Sequence, residues 1–72
     1  MDVPSPVTGT VWQHACSVGQ EVVLGSEIVM LECMKMELSV CAPCSGRVTW
    51  LKPMGEPVQE GEKIATIEEE GR

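Results

Sequence analysis

The sequence predicts an all-β fold, a flattened antiparallel barrel-sandwich of two four-stranded sheets related by an approximate two-fold axis. Three observations lead to this prediction. The 72-residue chain contains an internal repeat, six of its seven glycines occupy matched positions in that repeat, and its short Val and Ile runs show little helical periodicity. Each half then accommodates four short strands separated by glycine turns, and we expect residues 1–72 to form one domain with a small core.

The opening stretches of the two halves carry the first part of the repeat. Residues 3–11, VPSPVTGTV, align with residues 40–48, VCAPCSGRV, at an offset of 37. The five prolines of the chain fit strand ends and sheet edges, because proline has no N–H to donate to a neighbouring strand. They are Pro4, Pro6, Pro43, Pro53 and Pro57.

The later stretches of the halves carry the second part of the repeat. Residues 18–32, VGQEVVLGSEIVMLE, align with residues 54–68, MGEPVQEGEKIATIE, at an offset of 36. We expect the turn glycines to adopt positive φ, where a side chain would clash. The acidic run EEEG at residues 68–71 is expected to be a solvated tail or the start of a linker.

The connection between the halves is predicted to be a tight hairpin. EIVMLEC, residues 27–33, and MELSV, residues 36–40, are typical of strands, so Met34 and Lys35 form the two-residue turn and Cys33 faces Met36. Such turns favour Asn-Gly or Asp-Gly. A departure from this preference at an exposed tip indicates that function overrides folding preference there, at Lys35.

Composition and charge exclude several function classes. A net charge of −6 repels phosphate backbones and anionic lipid, and two tryptophans without Phe or Tyr offer no platform for stacking bases. The chain has no apolar run of about 18 residues and no signal-peptide pattern at its start. One histidine and no matched nucleophile and base argue against an enzyme. We therefore expect a non-catalytic protein with no nucleic-acid or membrane partner.

The cysteines leave one alternative open. Cys41 and Cys44 have a Cys-x2-Cys spacing, and His14 and Cys16 would complete a tetrahedral zinc set. The chain would then be a structural adaptor, either unmodified or zinc-bound. The repeat, however, places Cys44 opposite Val7, and a free cysteine behaves as a small apolar residue. We therefore predict no metal site. The four cysteines could form two disulfides in a secreted protein, but without a signal-peptide pattern we expect reduced thiols.

The segment from Glu32 to Glu37, ECMKME, resembles the Glu-Ala-Met-Lys-Met attachment motif of the biotin carboxyl carrier family. The resemblance covers nearly the whole chain and includes the tandem half-repeat and the Ser5-Pro6 opening that runs to Gly9. Cys33 stands where that family usually has alanine. Val7 and Thr8 replace the methionine and second proline of its Ser-Pro-Met-Pro-Gly opening. No segment corresponds to the protruding thumb of some bacterial members.

The resemblance implies a carrier function. Biotin would be attached covalently to Lys35 by a biotin protein ligase and would move as a swinging arm between the biotin carboxylase and carboxyltransferase of a biotin-dependent carboxylase. Recognition by the ligase and these partners would involve the residues around the lysine: Met34, Met36, Glu32, Cys33 and Glu37. A cytoplasmic location is expected, or the mitochondrial matrix or a plastid for a domain of a larger organellar carboxylase.

A lipoyl carrier is the second alternative. Such a domain has a similar fold and half-repeat, but its hairpin resembles Glu-Ser-Asp-Lys-Ala. Methionine on both sides of Lys35 favours biotin over lipoate.

Overall fold

The computed structural model describes residues 1–69, which form eight β-strands, four in each half as predicted. Hydrophobic alternation in these short segments, interrupted by glycine and proline turns, accounts for their strand conformation. The described residues include no helix long and apolar enough to cross a membrane. The strands are β1 (Asp2–Pro4), β2 (Gly9–His14), β3 (Glu21–Val22), β4 (Glu27–Cys33), β5 (Met36–Cys41), β6 (Gly46–Leu51), β7 (Pro57–Val58) and β8 (Lys63–Glu69).

The strands form two antiparallel sheets with the orders β1-β8-β6-β3 and β5-β4-β2-β7. Under the repeat, β1 to β4 correspond to β5 to β8, and this substitution converts one sheet order into the other. Each sheet therefore takes two strands from each half of the chain. The predicted barrel-sandwich of two four-stranded sheets with two-fold symmetry is confirmed.

Backbone hydrogen bonds between the halves follow the same symmetry. The amide of Gly19 donates to the carbonyl oxygen of Val48 at 2.7 Å, and the amide of Val48 donates to that of Gln20 at 2.9 Å. The repeat counterparts make the same two bonds: Gly55 N–H to Val11 O at 2.7 Å and Val11 N–H to Glu56 O at 2.9 Å. Each half thus satisfies backbone groups that the other half leaves open.

The six glycines within residues 1–69 divide into two groups, and only one of them serves turns by positive φ. Gly19, Gly25, Gly55 and Gly61 have φ between 87° and 95°, as expected. Gly9 and Gly46 instead begin β2 and β6, and a Cβ at either position would overlap the backbone oxygen of Glu32 or Glu68. These two glycines are required by close approach of two strands.

The core lies between the sheets and consists of aliphatic side chains with two alanines and one cysteine. Neither tryptophan belongs to it, since Trp12 and Trp50 are 45% and 37% exposed. Ser5 is the one buried polar residue recorded in the described range. The core residues are Val3, Val11, Cys16, Val22, Ile28, Val29, Leu31, Val40, Ala42, Val48, Leu51, Val58, Ile64, Ala65 and Ile67.

The inter-half hairpin and the β1–β8 end lie at opposite ends of the molecule, which measures 40 × 19 × 18 Å. β4 begins beside Ala42, which bonds Ser26, and runs to the hairpin. β8 begins near Ser5, at the same end as the hairpin tip, and runs in the opposite direction to finish at Glu69, which pairs with Gly46. The two-fold axis therefore relates the hairpin to the end where Met1 and β8 meet.

Two expectations about strand ends have different outcomes. Pro4 and Pro57 lie on the edge strands β1 and β7, as predicted for residues without an N–H donor. The expected acidic tail is wrong for Glu68 and Glu69, which belong to β8 and pair with β6. Residues 70 and 71 of that run lie outside the described residues.

Candidate functional site

The hairpin tip is a two-residue turn formed by Met34 and Lys35. Their φ angles are 53° and 66°, and they are the only non-glycine residues with positive φ in residues 1–69. Cys33 pairs with Met36 across the hairpin, as predicted. Two consecutive left-handed residues define a type I′ turn, whose twist matches that of the flanking strands.

The turn presents its side chains to solvent. Lys35 is exposed, and Met34 and Met36 on either side are 89% and 70% exposed. Side chains of this size cost free energy in the left-handed region. The hairpin therefore carries a local strain at the residues that flank and bear the amine.

Lys35 differs from the two other lysines of the chain. Lys52 is held by the carboxylate of Glu62 at 2.7 Å, and the ammonium of Lys63 lies 5.0 Å from the ring centre of Trp50. Within the part of the chain that the structure describes, Lys35 has neither an ion pair nor an aromatic partner. Its amine is the one most available to an approaching reagent.

Two acidic residues flank the tip. Glu32 and Glu37 lie directly opposite each other on β4 and β5, and both are exposed. Like charges in this arrangement destabilise a strand pair slightly. The pair places negative charge at the base of the turn that carries Lys35.

A shallow depression of about 170 Å³ lies beside the turn, and we call it the tip groove. Five of its six residues are apolar or thiol-bearing, and the sixth is Glu37. They are Val7, Cys33, Met34, Met36, Glu37 and Leu38. The groove thus joins both neighbours of Lys35 to the loop that precedes β2.

The loop that contributes Val7 is fixed by its own hydrogen bonds. The buried hydroxyl of Ser5 donates to the carbonyl oxygen of Val7 at 2.6 Å, and the amide of Val7 points back to that hydroxyl at 3.4 Å. The amide of Gly61 donates to the carbonyl of Ser5 at 2.8 Å. Gly9 then allows β2 to pass close to Glu32. The groove wall formed by Val7 is therefore built into the fold.

The structure brings the six residues singled out from the sequence, from Glu32 to Glu37, to one hairpin end. Sequence reasoning missed Val7 and Leu38 as parts of this site. Leu38 has a signal, because it alternates with Met36 and Val40 on one face of β5. Val7 has none, since only the folded chain brings its loop to the hairpin.

The zinc alternative finds no support in the geometry. Across residues 1–69, no three His, Cys, Asp or Glu side chains converge as metal ligands. Nε2 of His14 lies 2.7 Å from the carbonyl oxygen of Lys52. Burial raises the pKa of the Cys16 thiol, and burial together with the Glu69 carboxylate raises the pKa of the Cys44 thiol. Both effects oppose the thiolate that zinc requires.

The arrangement suits a group that is modified rather than one that performs catalysis. A primary amine at an exposed tip is open to the active site of another protein, and it can attack an acyl carbon once that site has removed its proton. A covalently acylated lysine fits this position, because no side chain has to move to admit a bulky group.

Comparisons with known proteins place these features in context. The family model described as "Biotin-requiring enzyme", which covers biotin and lipoyl domains, matches residues 1–67. The biotin carboxyl carrier protein of acetyl-CoA carboxylase from Solanum lycopersicum is 34% identical over 68 residues, which are 93% of this chain and 97% of that protein. The urea amidolyase of Saccharomyces cerevisiae is 33% identical over 67 residues.

The solved structures agree with the sequence relatives. The urea carboxylase of Kluyveromyces lactis contains a region that superimposes with a TM-score of 0.88 at 32% identity over 93% of this chain. The chain spans only 4% of the yeast urea amidolyase and 6% of the K. lactis structure. It thus matches both a protein of its own length and one region of much larger proteins.

Proposed function

This chain belongs to the family of biotin-requiring enzyme domains, and we propose from this that it is a biotin carboxyl carrier whose biotin is attached covalently to Lys35. The observation that carries the assignment to Lys35 is its position at the exposed tip between Met34 and Met36, on the hairpin that joins the two halves. The lysine of the resembling motif and the most available amine of the fold are the same residue.

Attachment is an acyl transfer carried out by a biotin protein ligase. Nζ of Lys35 loses a proton to the ligase site and attacks the carbonyl carbon of an activated biotinyl group. A C–N bond forms, the bond to the leaving group breaks, and the product is a neutral amide. The turn is closed by the pairing of Cys33 with Met36, so the ligase meets a hairpin whose strands are already paired.

After attachment the domain acts as a carrier and not as a catalyst. Biotin supplies the ring nitrogen that bears the carboxyl group, and the partner active sites supply the chemistry. The domain presents the arm first to a biotin carboxylase and then to a carboxyltransferase. The relatives named as a carboxyl carrier protein and as a urea carboxylase support this role.

The five residues around Lys35 are proposed to be read by the ligase and the carboxylase partners. Met34 and Met36 offer flexible, uncharged side chains that adapt to more than one partner surface. Glu32, Cys33 and Glu37 border the same end. The cost of opposing carboxylates is more easily understood at a recognition surface than in a purely structural hairpin.

The test is the intact mass of the chain after incubation with biotin, ATP and a biotin protein ligase. We expect one biotinyl increment, and none in Lys35→Arg. Lys52 and Lys63 serve as internal controls, and peptide mapping should find them unmodified. Uptake at either of them, or no uptake by a folded sample, would contradict the assignment. Uptake from a lipoyl ligase instead of a biotin ligase would favour the lipoyl alternative.

A further inference from the structure

The inner face of the hairpin continues beyond the core. Leu31 is fully buried, and Leu38 lies directly opposite it in the β4–β5 register. Cys33 and Met36 form the next pair on this face, since side chains alternate along a strand. Leu38 is 37% exposed and Met36 is 70% exposed, so the other sheet leaves this extension uncovered.

The tip groove is the hollow formed by this extension and Val7. Val7 packs against the core on one side and lines the groove on the other. Uncovered apolar side chains gain free energy from any apolar group that shields them from water. The group nearest at hand is whatever is attached to Lys35, because the residues on both sides of Lys35 line the groove.

We propose that the tip groove is the resting site of the biotinyl arm on Lys35, with its hydrocarbon chain and sulfur-containing ring against Val7, Met36 and Leu38. This inference rests on the proposed function. The chemistry of the groove matches the arm, since apolar side chains take the hydrocarbon and methionine sulfur contacts adapt to irregular shapes.

Two larger depressions of the described chain are poorer candidates for the arm. Their volumes are about 340 and 260 Å³, and Val22 with Glu21 lines the first while His14 with Glu27 lines the second. Both lie along other strands and turns and include none of the hairpin tip residues. An arm tethered at Lys35 meets the tip groove first.

Cys33 provides a direct probe, because its thiol is half-buried and lines the groove. Cys41 is exposed at the far end of β5 and serves as a reference in the same molecule. The experiment measures the iodoacetamide alkylation rate of Cys33 relative to Cys41, by peptide mapping, in biotinylated and unmodified protein. Intact mass first confirms one biotinyl group per chain.

We expect biotinylation to slow alkylation of Cys33 about threefold relative to Cys41, as for an arm that occupies the groove roughly two thirds of the time. Leu38→Ser removes one apolar wall of the groove. In this variant, the alkylation rate of Cys33 relative to Cys41 should be the same in the biotinylated and the unmodified protein. The matched control Leu24→Ser changes a leucine that is 68% exposed in another turn, and it should keep the threefold protection.

A second measurement does not depend on any variant. Nuclear Overhauser effects between biotin ring protons and the methyl groups of Val7 and Leu38 are expected in the biotinylated domain. Unchanged alkylation of Cys33, protection that persists in Leu38→Ser, or absence of these Overhauser effects would overturn the proposal. A chain that takes up no biotin is detected earlier, by its mass, and would overturn the proposed function instead.

Discussion

Glycine is required in this domain for two different reasons. At some positions a Cβ would have no space, and at others the backbone has a positive φ. Gly46 has an ordinary φ, but an added Cβ would overlap the backbone oxygen of Glu68 and lie 2.9 Å from Cγ2 of Ile67. Gly19 has a φ of 95° and open space around the position of a Cβ.

The first prediction compares alanine at these two positions. Gly46→Ala should lower the free energy of unfolding by at least about 2 kcal/mol, because two strands must separate to admit the methyl group. Gly19→Ala should cost only about 1 kcal/mol, the price of a left-handed alanine. Urea unfolding of both variants tests this, and equal losses would contradict the distinction.

The second prediction at this scale concerns Glu62. The hydrogen bond from Lys52 and then the backbone amide of Gln59 lower the pKa of Glu62 below its usual 4.5. A carboxyl group with a lowered folded pKa stabilises the fold above its unfolded pKa, and this contribution disappears as the pH falls through the folded value.

The stability difference between wild type and Glu62→Gln should therefore be largest near neutral pH and should shrink as the pH falls below about 4.5. Thermal unfolding across this pH range measures it. Glu60→Gln is the control, since Glu60 is exposed in the same turn and makes no ion pair in the described chain. A difference that grows on acidification would contradict the assigned role of the Lys52 bond.

At the residue scale, the sequence predicted the place of some residues in the fold and not the constraints on others. It predicted that Lys35 lies in the tight turn between the halves, because the repeat locates it there between two strand-like segments. The role of Gly9 could not be predicted, because a sequence marks a glycine without showing whether angle or space requires it. Leu38 was overlooked although its alternation with Met36 carried the information.

Among the elements, the β4–β5 hairpin combines good strand pairing with an unfavourable turn. Six residue pairs, from Glu27↔Cys41 to Cys33↔Met36, align β4 with β5. Met34 and Lys35 close the hairpin with positive φ. Asparagine tolerates the left-handed region far better than methionine.

The third prediction is that Met34→Asn stabilises the domain and impairs modification. We expect the free energy of unfolding to rise by about 0.5–1 kcal/mol, because the first turn position prefers asparagine. The rate of biotin uptake should fall, because the ligase loses an exposed methionine. Urea unfolding and mass-detected uptake measure the two effects.

Met36→Asn is the matched control for the turn effect. Met36 lies in β5, where asparagine is disfavoured, so this variant should gain no stability. A stabilising Met36→Asn, or a destabilising Met34→Asn, would contradict the explanation from turn geometry.

The hairpin is the element that sequence reasoning described best. Turn chemistry and strand alternation are local, so residues 27–40 were sufficient to predict that Cys33 faces Met36. The eight-strand count followed from the repeat in the same way. The groove wall contributed by Val7 could not follow, because its loop is distant in sequence from the hairpin.

The two halves of the chain are held together because each contributes strands to both sheets. Each sheet contains two strands from each half, and paired hydrogen bonds link Gly19 with Val48 and Gly55 with Val11. The repeat predicted two equivalent halves, but it could not show that they share their sheets, since strand partners are chosen by long-range packing.

The fourth prediction follows from this sharing of strands between the halves. The amide protons of Val11, Gly19, Val48 and Gly55 should exchange with solvent at rates set by one common free energy, that of global unfolding. The amide of Lys35, at the exposed turn, should exchange much faster. Hydrogen exchange followed by NMR tests this, and one half that exchanges well before the other would show that the halves open separately.

Because the hairpin lies at the end opposite Met1 and Glu69, a rotation of the whole domain about that end moves Lys35 farther than residues near the pivot. For a body of this length held at one end, a tilt of about 30° moves the opposite end by roughly 20 Å, without any change inside the domain. The distance that an attached group can travel is therefore set by how freely the rigid body pivots as well as by the length of the lysine arm.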